Sequence, residues 1–191
     1  MTLLRAPTDP RWVAVALEDL DRTLADHAHC EKKAAASALK LVADHADRPD
    51  LVRALARLAR EELEHFQAVL AELARRGLAL PPDEGDPYAQ ALLRRVRSGG
   101  PAERLVDRLL AAALIEARSR ERLALLAGAL PDPRLGELYA RFARAEAGHE
   151  RLFVDLAGRH AGGLDVAARL AELAEEEARI AAALPLLPRI H

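Results

Sequence analysis

Apolar residues recur along this chain in alternating steps of three and four residues. Such steps place side chains on one face of an α-helix, so each run predicts a helix with one buried stripe. Four runs are long enough for helices of many turns. The clearest stripe, in the C-terminal half, reads Leu135, Tyr139, Phe142, Glu146, His149, Phe153 and Leu156. The hydrophobic pattern therefore predicts a helical protein with four long amphipathic helices.

Prolines and glycines separate the predicted helices. Proline fits the first turn of a helix, so Pro49 and Pro101 are predicted to open the second and third long helices. Asp47 is predicted to cap the second long helix. Gly77 ends that helix. The predicted helices cover about residues 11–46 (with a bend near Glu18), 49–76, 88–97, 101–130, 132–160 and 165–184. The connection over about residues 78–100 is too long for a tight turn.

The order of these elements indicates an all-α fold of the ferritin-like type. In such folds two antiparallel helical hairpins, joined by a long crossover, form a four-helix bundle. Here the crossover covers about residues 78–100, and a fifth helix follows over about 165–184. Fully extended, the crossover spans ~75 Å at about 3.3 Å per residue, more than the ~42 Å length of a helix of about 28 residues. We expect one ferritin-like domain over residues 1–191.

Composition agrees with this fold and narrows the function. Alanine, leucine, arginine and glutamate dominate, and aromatic residues make up 3% of the chain, which favours helix. A formal net charge of −2 gives no overall reason to expect nucleic-acid binding, although it is compatible with a local basic patch. The single cysteine, Cys30, excludes an internal disulfide and a cysteine-based metal site. Because no apolar run is long enough to span a membrane and no secretory signal begins the chain, we expect a cytoplasmic protein.

Ionisable residues interrupt the buried stripes of the long helices. They are four glutamates and two histidines: Glu31, Glu62, His65, Glu116, Glu146 and His149. Unpaired charge in an apolar core is very costly, so something must neutralise these groups. Two divalent metal ions would do so, since carboxylate and imidazole are suitable ligands for iron or manganese. The alternative is a plain helical bundle with buried ion pairs.

The spacing of these residues supports the metal interpretation. The midpoints between the paired glutamates fall at the two breaks, so the glutamates of each hairpin are level with one another. The two Glu-x-x-His pairs are 84 residues apart, and the other two glutamates are 85 apart. One glutamate from each of two helices and Glu-x-x-His from the other two is the ligand set of ferritin-like dimetal proteins. The expected assignment is Glu31 and His65 on one metal, Glu116 and His149 on the other, and Glu62 and Glu146 as bridges.

The sequence around these residues resembles a known family. It is similar to the bacterial tRNA hydroxylases of the MiaE type over roughly residues 7–180, in the runs PTDPRWVAVALEDLDRTLADHAHCEKKAAASAL, RPDLVRALARLAREELEHF, LLAAALIEARSRERLALLA and YARFARAEAGHERLFVDLA. The HAHCEKKAA and IEARS surroundings are more specific than the ligand pattern, which many ferritin-like proteins share. These flanking residues therefore carry the resemblance.

The resemblance implies a non-haem diiron monooxygenase. Such an enzyme uses O2 and electrons from an external reductase or ferredoxin to hydroxylate the isopentenyl group of a methylthiolated, prenylated adenosine next to the anticodon of tRNA. It implies two Fe ions, held by Glu31, Glu62, His65, Glu116, Glu146 and His149. The alternatives are a ferritin-like or rubrerythrin-like ferroxidase or peroxide-handling dimetal protein, and a non-enzymatic helical interaction module. The absence of a CxxC motif argues against a rubrerythrin that carries a rubredoxin domain.

Three basic clusters are candidates for contacts with tRNA phosphates, which need positive charge. They are Arg94, Arg95 and Arg97, then Arg118, Arg120 and Arg122, and finally Lys32 and Lys33. The alternative is that these residues form solvated faces paired with acidic neighbours. The crossover over 78–100 is the favoured substrate rim, since loops on rigid scaffolds often carry function. His27 lies one turn before Glu31 and is a candidate partner of that ligand, but the favoured interpretation is that His27 and His29 are partly exposed. His191 is expected on the surface.

Overall fold

The structure, a computed structural model, describes residues 2–191. Over this range it contains seven α-helices and no strand, which confirms the predicted all-α class. The helices are α1 Arg11–Glu18, α2 Leu20–Asp44, α3 Pro49–Arg75, α4 Pro87–Leu93, α5 Pro101–Ala129, α6 Pro133–Arg159 and α7 Val166–Ala183. The four long helices α2, α3, α5 and α6 are those that the hydrophobic pattern predicts.

The sequence pattern predicts the position of the boundary between α1 and α2 correctly but not the cap of α3. The predicted bend near Glu18 is a break, because α1 ends there and the Asp19 side chain accepts a hydrogen bond from the Arg22 backbone N–H (3.1 Å) to cap α2. The predicted cap of α3 is wrong, since its N-cap residue is Arg48 rather than Asp47, and no side chain caps it. Proline in the first turn leaves one fewer backbone N–H to satisfy, so α3 begins without such a cap.

The described chain divides into two compact units, of which the first, unit A, comprises Ala14–Gly85 and Leu187–Ile190. In unit A, α2 and α3 pack along their lengths as a helical hairpin joined by residues 45–48. Its buried apolar side chains include Leu24, Leu41, Leu51, Leu55, Leu58 and Val69. Burial of these stripes provides the main force that stabilises the hairpin.

The second unit, unit B, comprises residues up to Val13, Asp86–Leu186 and His191. In unit B, α5 and α6 form the hairpin, while α4 and α7 pack against α5 and against each other. Its buried apolar side chains include Trp12, Leu105, Leu109, Leu114, Leu126, Tyr139, Phe142 and Leu156. A Cβ atom at Gly136 would lie 3.1 Å from the Ala127 carbonyl oxygen, so glycine here allows α5 and α6 to approach closely.

A buried ion pair fixes α7 to α5 in unit B. Arg118 and Glu177 are 1% and 0% exposed, and the guanidinium donates to both carboxylate oxygens (2.9 and 3.0 Å). The Tyr88 hydroxyl of α4 also donates to Glu177 (2.9 Å), and burial together with the Glu177 charge raises the pKa of Tyr88 well above its ordinary value. A further Arg118 hydrogen bond reaches Thr8 (3.0 Å). Because these buried groups satisfy one another, the network fixes three helices and the N-terminal segment in one arrangement.

A second charged cluster in unit B centres on Asp107 of α5, whose side chain is fully buried. Its carboxylate accepts hydrogen bonds from the Arg97 guanidinium (3.0 and 2.8 Å) and from Arg169 of α7 (3.0 and 2.8 Å). Burial alone would raise the pKa of Asp107, but the hydrogen bonds from Arg169 and Arg97 outweigh it and hold the pKa below its ordinary value. The cluster therefore ties the connection after α4, and the start of α7, to α5.

The connection between α3 and α5 contains one short helix, as predicted, but α4 ends at Leu93 rather than near Arg97. After Leu93 the backbone N–H groups of Arg95 and Val96 donate to carbonyls three residues back (2.9 and 3.2 Å), so the helical ladder stops, and the Arg97 N–H donates to the Asp107 carboxylate (2.9 Å). The expectation of a single domain over residues 1–191 stays a prediction. Within residues 2–191, no helix combines the length and the apolarity that crossing a membrane requires.

Candidate metal centre

In unit A, three of the six predicted ligands lie together. Glu31 extends from the middle of α2, and Glu62 and His65 from the middle of α3, with one ligand atom of each within 4.8 Å of the others. The His65 Nδ1 atom is 3.5 Å from an oxygen of Glu31 and 3.4 Å from an oxygen of Glu62. Glu62 is 0% exposed and Glu31 is 5% exposed. We call these three residues triad A.

In unit B, the other three predicted ligands form an equivalent set. Glu116 extends from α5, and Glu146 and His149 from α6, with one ligand atom of each within 4.8 Å of the others. The His149 Nδ1 atom is 2.9 Å from an oxygen of Glu146. All three residues are buried. We call them triad B, which contains two carboxylates and one imidazole, as triad A does.

A histidine outside the predicted set supports triad A. The His27 Nε2 atom lies 2.6 Å from an oxygen of Glu31, and both side chains are buried. The expectation that His27 is partly exposed is therefore wrong. Its position four residues before Glu31 places it on the same face of α2, and this spacing is the sequence signal that identifies the pair.

Two neighbouring histidines keep the Glu31 carboxyl ionised. Burial alone would raise the pKa of Glu31, but the hydrogen bond with His27 and the nearby His65 imidazole outweigh this effect and hold the pKa well below its usual range. A deprotonated carboxylate is the form that binds a cation. The environment of Glu31 is therefore arranged for the charged state despite its burial.

Two further histidines are more buried than the sequence predicts. His29 is 6% exposed, and its Nε2 atom lies 2.9 Å from the carbonyl oxygen of Pro81, in unit A. The His191 side chain is 5% exposed; its Nδ1 atom is 3.1 Å from an oxygen of Asp86 and its Nε2 atom is 2.7 Å from the Ser119 hydroxyl, in unit B. All three partners are remote in sequence, so local patterns could not reveal them.

The donor atoms of each triad suit a divalent metal ion. Carboxylate oxygens and imidazole nitrogens are the ligands that iron, manganese and zinc accept, whereas the soft thiolates that copper(I) prefers are absent from both triads. Two glutamates carry the charge that one divalent cation balances, which makes their burial tolerable. The residues therefore fit the predicted pair of metal ions. That these six side chains bind metal stays a prediction.

The basic clusters predicted from the sequence are mostly engaged within the protein. The second cluster contributes Arg118 to the buried ion pair described above and Arg120 to Glu150 (2.8 Å), while Arg122 lies 4.9 Å from the centre of the Trp12 ring. Burial and the neighbouring Arg118 charge lower the pKa of Arg122 to about 10. This cluster is therefore not a surface for tRNA phosphates, because its charges are buried or paired.

Most residues of the other two clusters also have acidic partners. Asp83 contacts both Lys32 (3.2 Å) and Lys33 (3.5 Å) in unit A. In unit B, Arg95 pairs with Glu176 (3.0 Å) and Arg97 with Asp107, as described above. The sequence pattern could not show that Lys32, Lys33, Arg95 and Arg97 have these acidic partners.

Comparison with known proteins identifies relatives of the whole chain. The family model described as tRNA-(MS[2]IO[6]A)-hydroxylase (MiaE) matches residues 1–191. The tRNA 2-(methylsulfanyl)-N(6)-isopentenyladenosine(37) hydroxylase of Pseudomonas putida is 42% identical over 164 residues, which cover 86% of this chain and 79% of the relative. The protein of the same name from Salmonella typhimurium is 30% identical over 227 residues, covering 93% and 83% of the two chains.

A solved structure shows the same fold. Protein 43 with aldehyde deformylating oxygenase activity from Synechococcus superposes with a TM-score of 0.93 at 41% identity, covering 100% of this chain and 96% of that chain. This agreement confirms the predicted ferritin-like fold. The whole-chain family match confirms the resemblance that the sequence around the six predicted ligands implies. The chain therefore belongs to the MiaE family of tRNA hydroxylases.

Proposed function

We propose that this protein is a diiron monooxygenase that hydroxylates the isopentenyl group of a methylthiolated, prenylated adenosine next to the anticodon in tRNA. It uses O2 and takes electrons from an external reductase or ferredoxin. The names of its relatives in Pseudomonas putida and Salmonella typhimurium support the substrate and the reaction. Triads A and B are the residues that would hold two Fe ions.

One observation carries this proposal. The chain contains two buried triads of the same composition, one on α2 and α3 and the other on α5 and α6. Their Glu-x-x-His pairs are 84 residues apart in the sequence. This is the ligand set that dimetal carboxylate proteins of the ferritin-like type use. A helical protein without metal has no reason to bury four carboxylates in this repeated pattern.

The side chains of this protein have three tasks in the reaction. The four glutamates and two histidines would hold the two metal ions, and the negative charge of the four carboxylates would balance the positive charge of the ions. His27 holds Glu31 in position through the 2.6 Å hydrogen bond, as partners of metal ligands commonly do. Buried apolar residues one turn before the Glu-x-x-His pairs, Leu58 and Phe142, keep water away. When bound, a pair of reduced iron ions supplies the activation of O2 that hydroxylation of a C–H bond requires.

The experiment that tests the proposal uses the purified, iron-loaded protein. It is incubated with a chemical reductant, O2 and tRNA that carries the prenylated, methylthiolated adenosine, and the nucleosides are then analysed by mass spectrometry. We expect the nucleoside to gain the mass of one oxygen atom. Glu62→Gln is expected to abolish the gain, whereas Glu64→Gln, the same change at an exposed position of α3, is expected to retain it. No product from a fully iron-loaded wild-type protein contradicts the proposal.

The relative from Synechococcus favours a second candidate function. Its name records aldehyde deformylating oxygenase activity, and it covers this whole chain. The same iron-loaded preparation is therefore given a long-chain aldehyde, and loss of the aldehyde is followed. Oxidation of the aldehyde without any change in tRNA would replace the proposed substrate, while iron oxidation without either product would indicate a ferroxidase.

A further inference from the structure

The outer face of α6 carries three arginines with exposed side chains. Arg141, Arg144 and Arg151 follow one another at steps of three and seven residues, which places them on one side of the helix. Along the axis they span about 15 Å, at 1.5 Å per residue. Gly148 lies between them on the same side. We call these four residues the α6 arginine face.

The arginines of this face have no acidic partner within residues 2–191. By contrast, most other exposed arginines of unit B are paired, as Arg11 is with Asp9 (2.6 Å) and Arg179 with Glu176 (2.5 Å). Glu137 and Asp155 lie beyond the two ends of the face on the same helix side and form no ion pair with it. The face therefore presents three unneutralised guanidinium groups to its surroundings.

Gly148 leaves a gap in the middle of this face. Glycine is unfavourable in the interior of a helix, and a Cβ atom built at Gly148 would meet nothing within 4 Å. Packing within the protein therefore does not require glycine at this position. Its effect is to let an external molecule approach the helix backbone between Arg144 and Arg151.

The sequence repeat shows how the two Glu-x-x-His helices differ at this position. The offset of 84 residues that relates the metal-ligand pairs also relates Arg57 and Arg60 of α3 to Arg141 and Arg144 of α6. The α3 position that corresponds to Gly148 is Glu64, and its carboxylate lies 3.5 Å from Arg60. The α6 copy lacks this carboxylate, so its arginines remain available to an anionic partner.

We propose that the α6 arginine face binds backbone phosphates of the tRNA substrate. Arginine suits this task, because its planar guanidinium donates two parallel hydrogen bonds to a phosphate. None of the large hydrophobic residues that are exposed within residues 2–191 lies on α6, whereas protein interfaces usually contain an apolar centre. The identity of the RNA as tRNA rests on the proposed function.

The test measures binding of unmodified tRNA to the iron-loaded protein at several salt concentrations. The variant Arg141→Gln, Arg144→Gln, Arg151→Gln is compared with a control that loses the same charge elsewhere in unit B, namely Arg5→Gln, Arg11→Gln, Arg179→Gln. Each lost phosphate contact reduces the slope of log affinity against log salt by about 0.7–0.9. We expect the slope of the α6 variant to become shallower by about 2–3 and its Kd at low salt to rise roughly tenfold or more. The control is expected to retain the wild-type slope.

A single substitution tests the gap itself. Gly148→Glu recreates in α6 the carboxylate that α3 has at Glu64, so it is expected to pair with Arg144 and to weaken tRNA binding several-fold. Gly148→Gln, which has the same shape without charge, is expected to weaken binding less. Circular dichroism checks that both variants keep the helical fold.

These experiments separate failure of this inference from failure of the proposed function. An unchanged salt slope in the α6 variant, with wild-type hydroxylation, overturns the inference and leaves the function intact. Normal tRNA binding with slower turnover from a protein reductant also overturns it, because the face would then serve an acidic electron donor. An arginine-dependent slope in a protein that hydroxylates no tRNA supports the inference and refutes the function.

Discussion

Glu62 is fully buried on α3, where Leu58 precedes it and His65 follows it in the stripe. A carboxylate in such a place loses its hydration and needs a cation or strong hydrogen bonds in exchange. His65 supplies part of this compensation at 3.4 Å, and a metal ion would supply the rest. For this single residue, the proposed role as a metal ligand therefore follows from the need to balance a buried negative charge.

The hydrogen bond between His27 and Glu31 leads to a prediction at this scale. Removing a partner that orients a metal ligand typically lowers metal affinity about 10–100-fold. We expect His27→Ala to lower the affinity for Fe(II) by about this factor while the helical content is retained. Anaerobic titration with Fe(II) measures the effect. His45→Ala, which changes a histidine beyond the end of α2, serves as the control, and equal affinities in the two variants would show that His27 has no such role.

The cluster around Asp107, which links α7 to α5, is expected to make the stability of the fold depend on pH. Its pKa is lowered in the folded protein, so the unfolded chain binds the proton more readily. The stability that Asp107 contributes is therefore present above about pH 4, the ordinary carboxyl pKa, and is lost as the pH falls toward the folded value. Asp107→Asn is expected to lower the free energy of unfolding by about 1–3 kcal/mol at neutral pH and to remove part of this acid sensitivity.

Urea unfolding of both proteins at neutral and acidic pH measures this difference. Asp9→Asn is the matched control, because hydrogen bonds from Arg11 lower the pKa of Asp9 to about 2, although Asp9 is on the surface. Exposed ion pairs contribute little to stability, so the control is expected to resemble the wild type. Identical pH profiles for Asp107→Asn and the wild type would mean that the cluster does not anchor α7.

The helices themselves were predictable because their signals are local. Apolar steps of three and four, together with Pro49, Pro101 and Gly77, place the long helices within a few residues of their observed ends. The errors arose where partners remote in sequence decide the outcome. Arg97 lies beyond the short helix, where its N–H donates to Asp107, and Arg118 is buried because Glu177 of α7 pairs with it. No periodicity reveals such pairs.

At the scale of the whole molecule, the repeated sequence pattern made the candidate site predictable. The six residues could be chosen because each interrupts an apolar stripe and because two sets share one spacing. The sequence favoured partial exposure for His27 over a role beside Glu31, and it did not reveal the α6 arginine face. His27 resembles an ordinary polar residue until its burial is known, and an exposed arginine is recognised as unpaired only when every neighbouring carboxylate has been located.

If triads A and B bind two metal ions, the number of iron ions per chain is the decisive quantity. Metal-free protein is titrated anaerobically with Fe(II), and bound iron is counted at saturation. We expect two ions per chain in the wild type and a large loss of bound iron in Glu146→Gln. Glu137→Gln, the same change at an exposed position of α6, is expected to bind as much iron as the wild type. A wild-type protein that saturates with no iron, or a Glu146→Gln variant that still binds two ions tightly, would contradict this assignment.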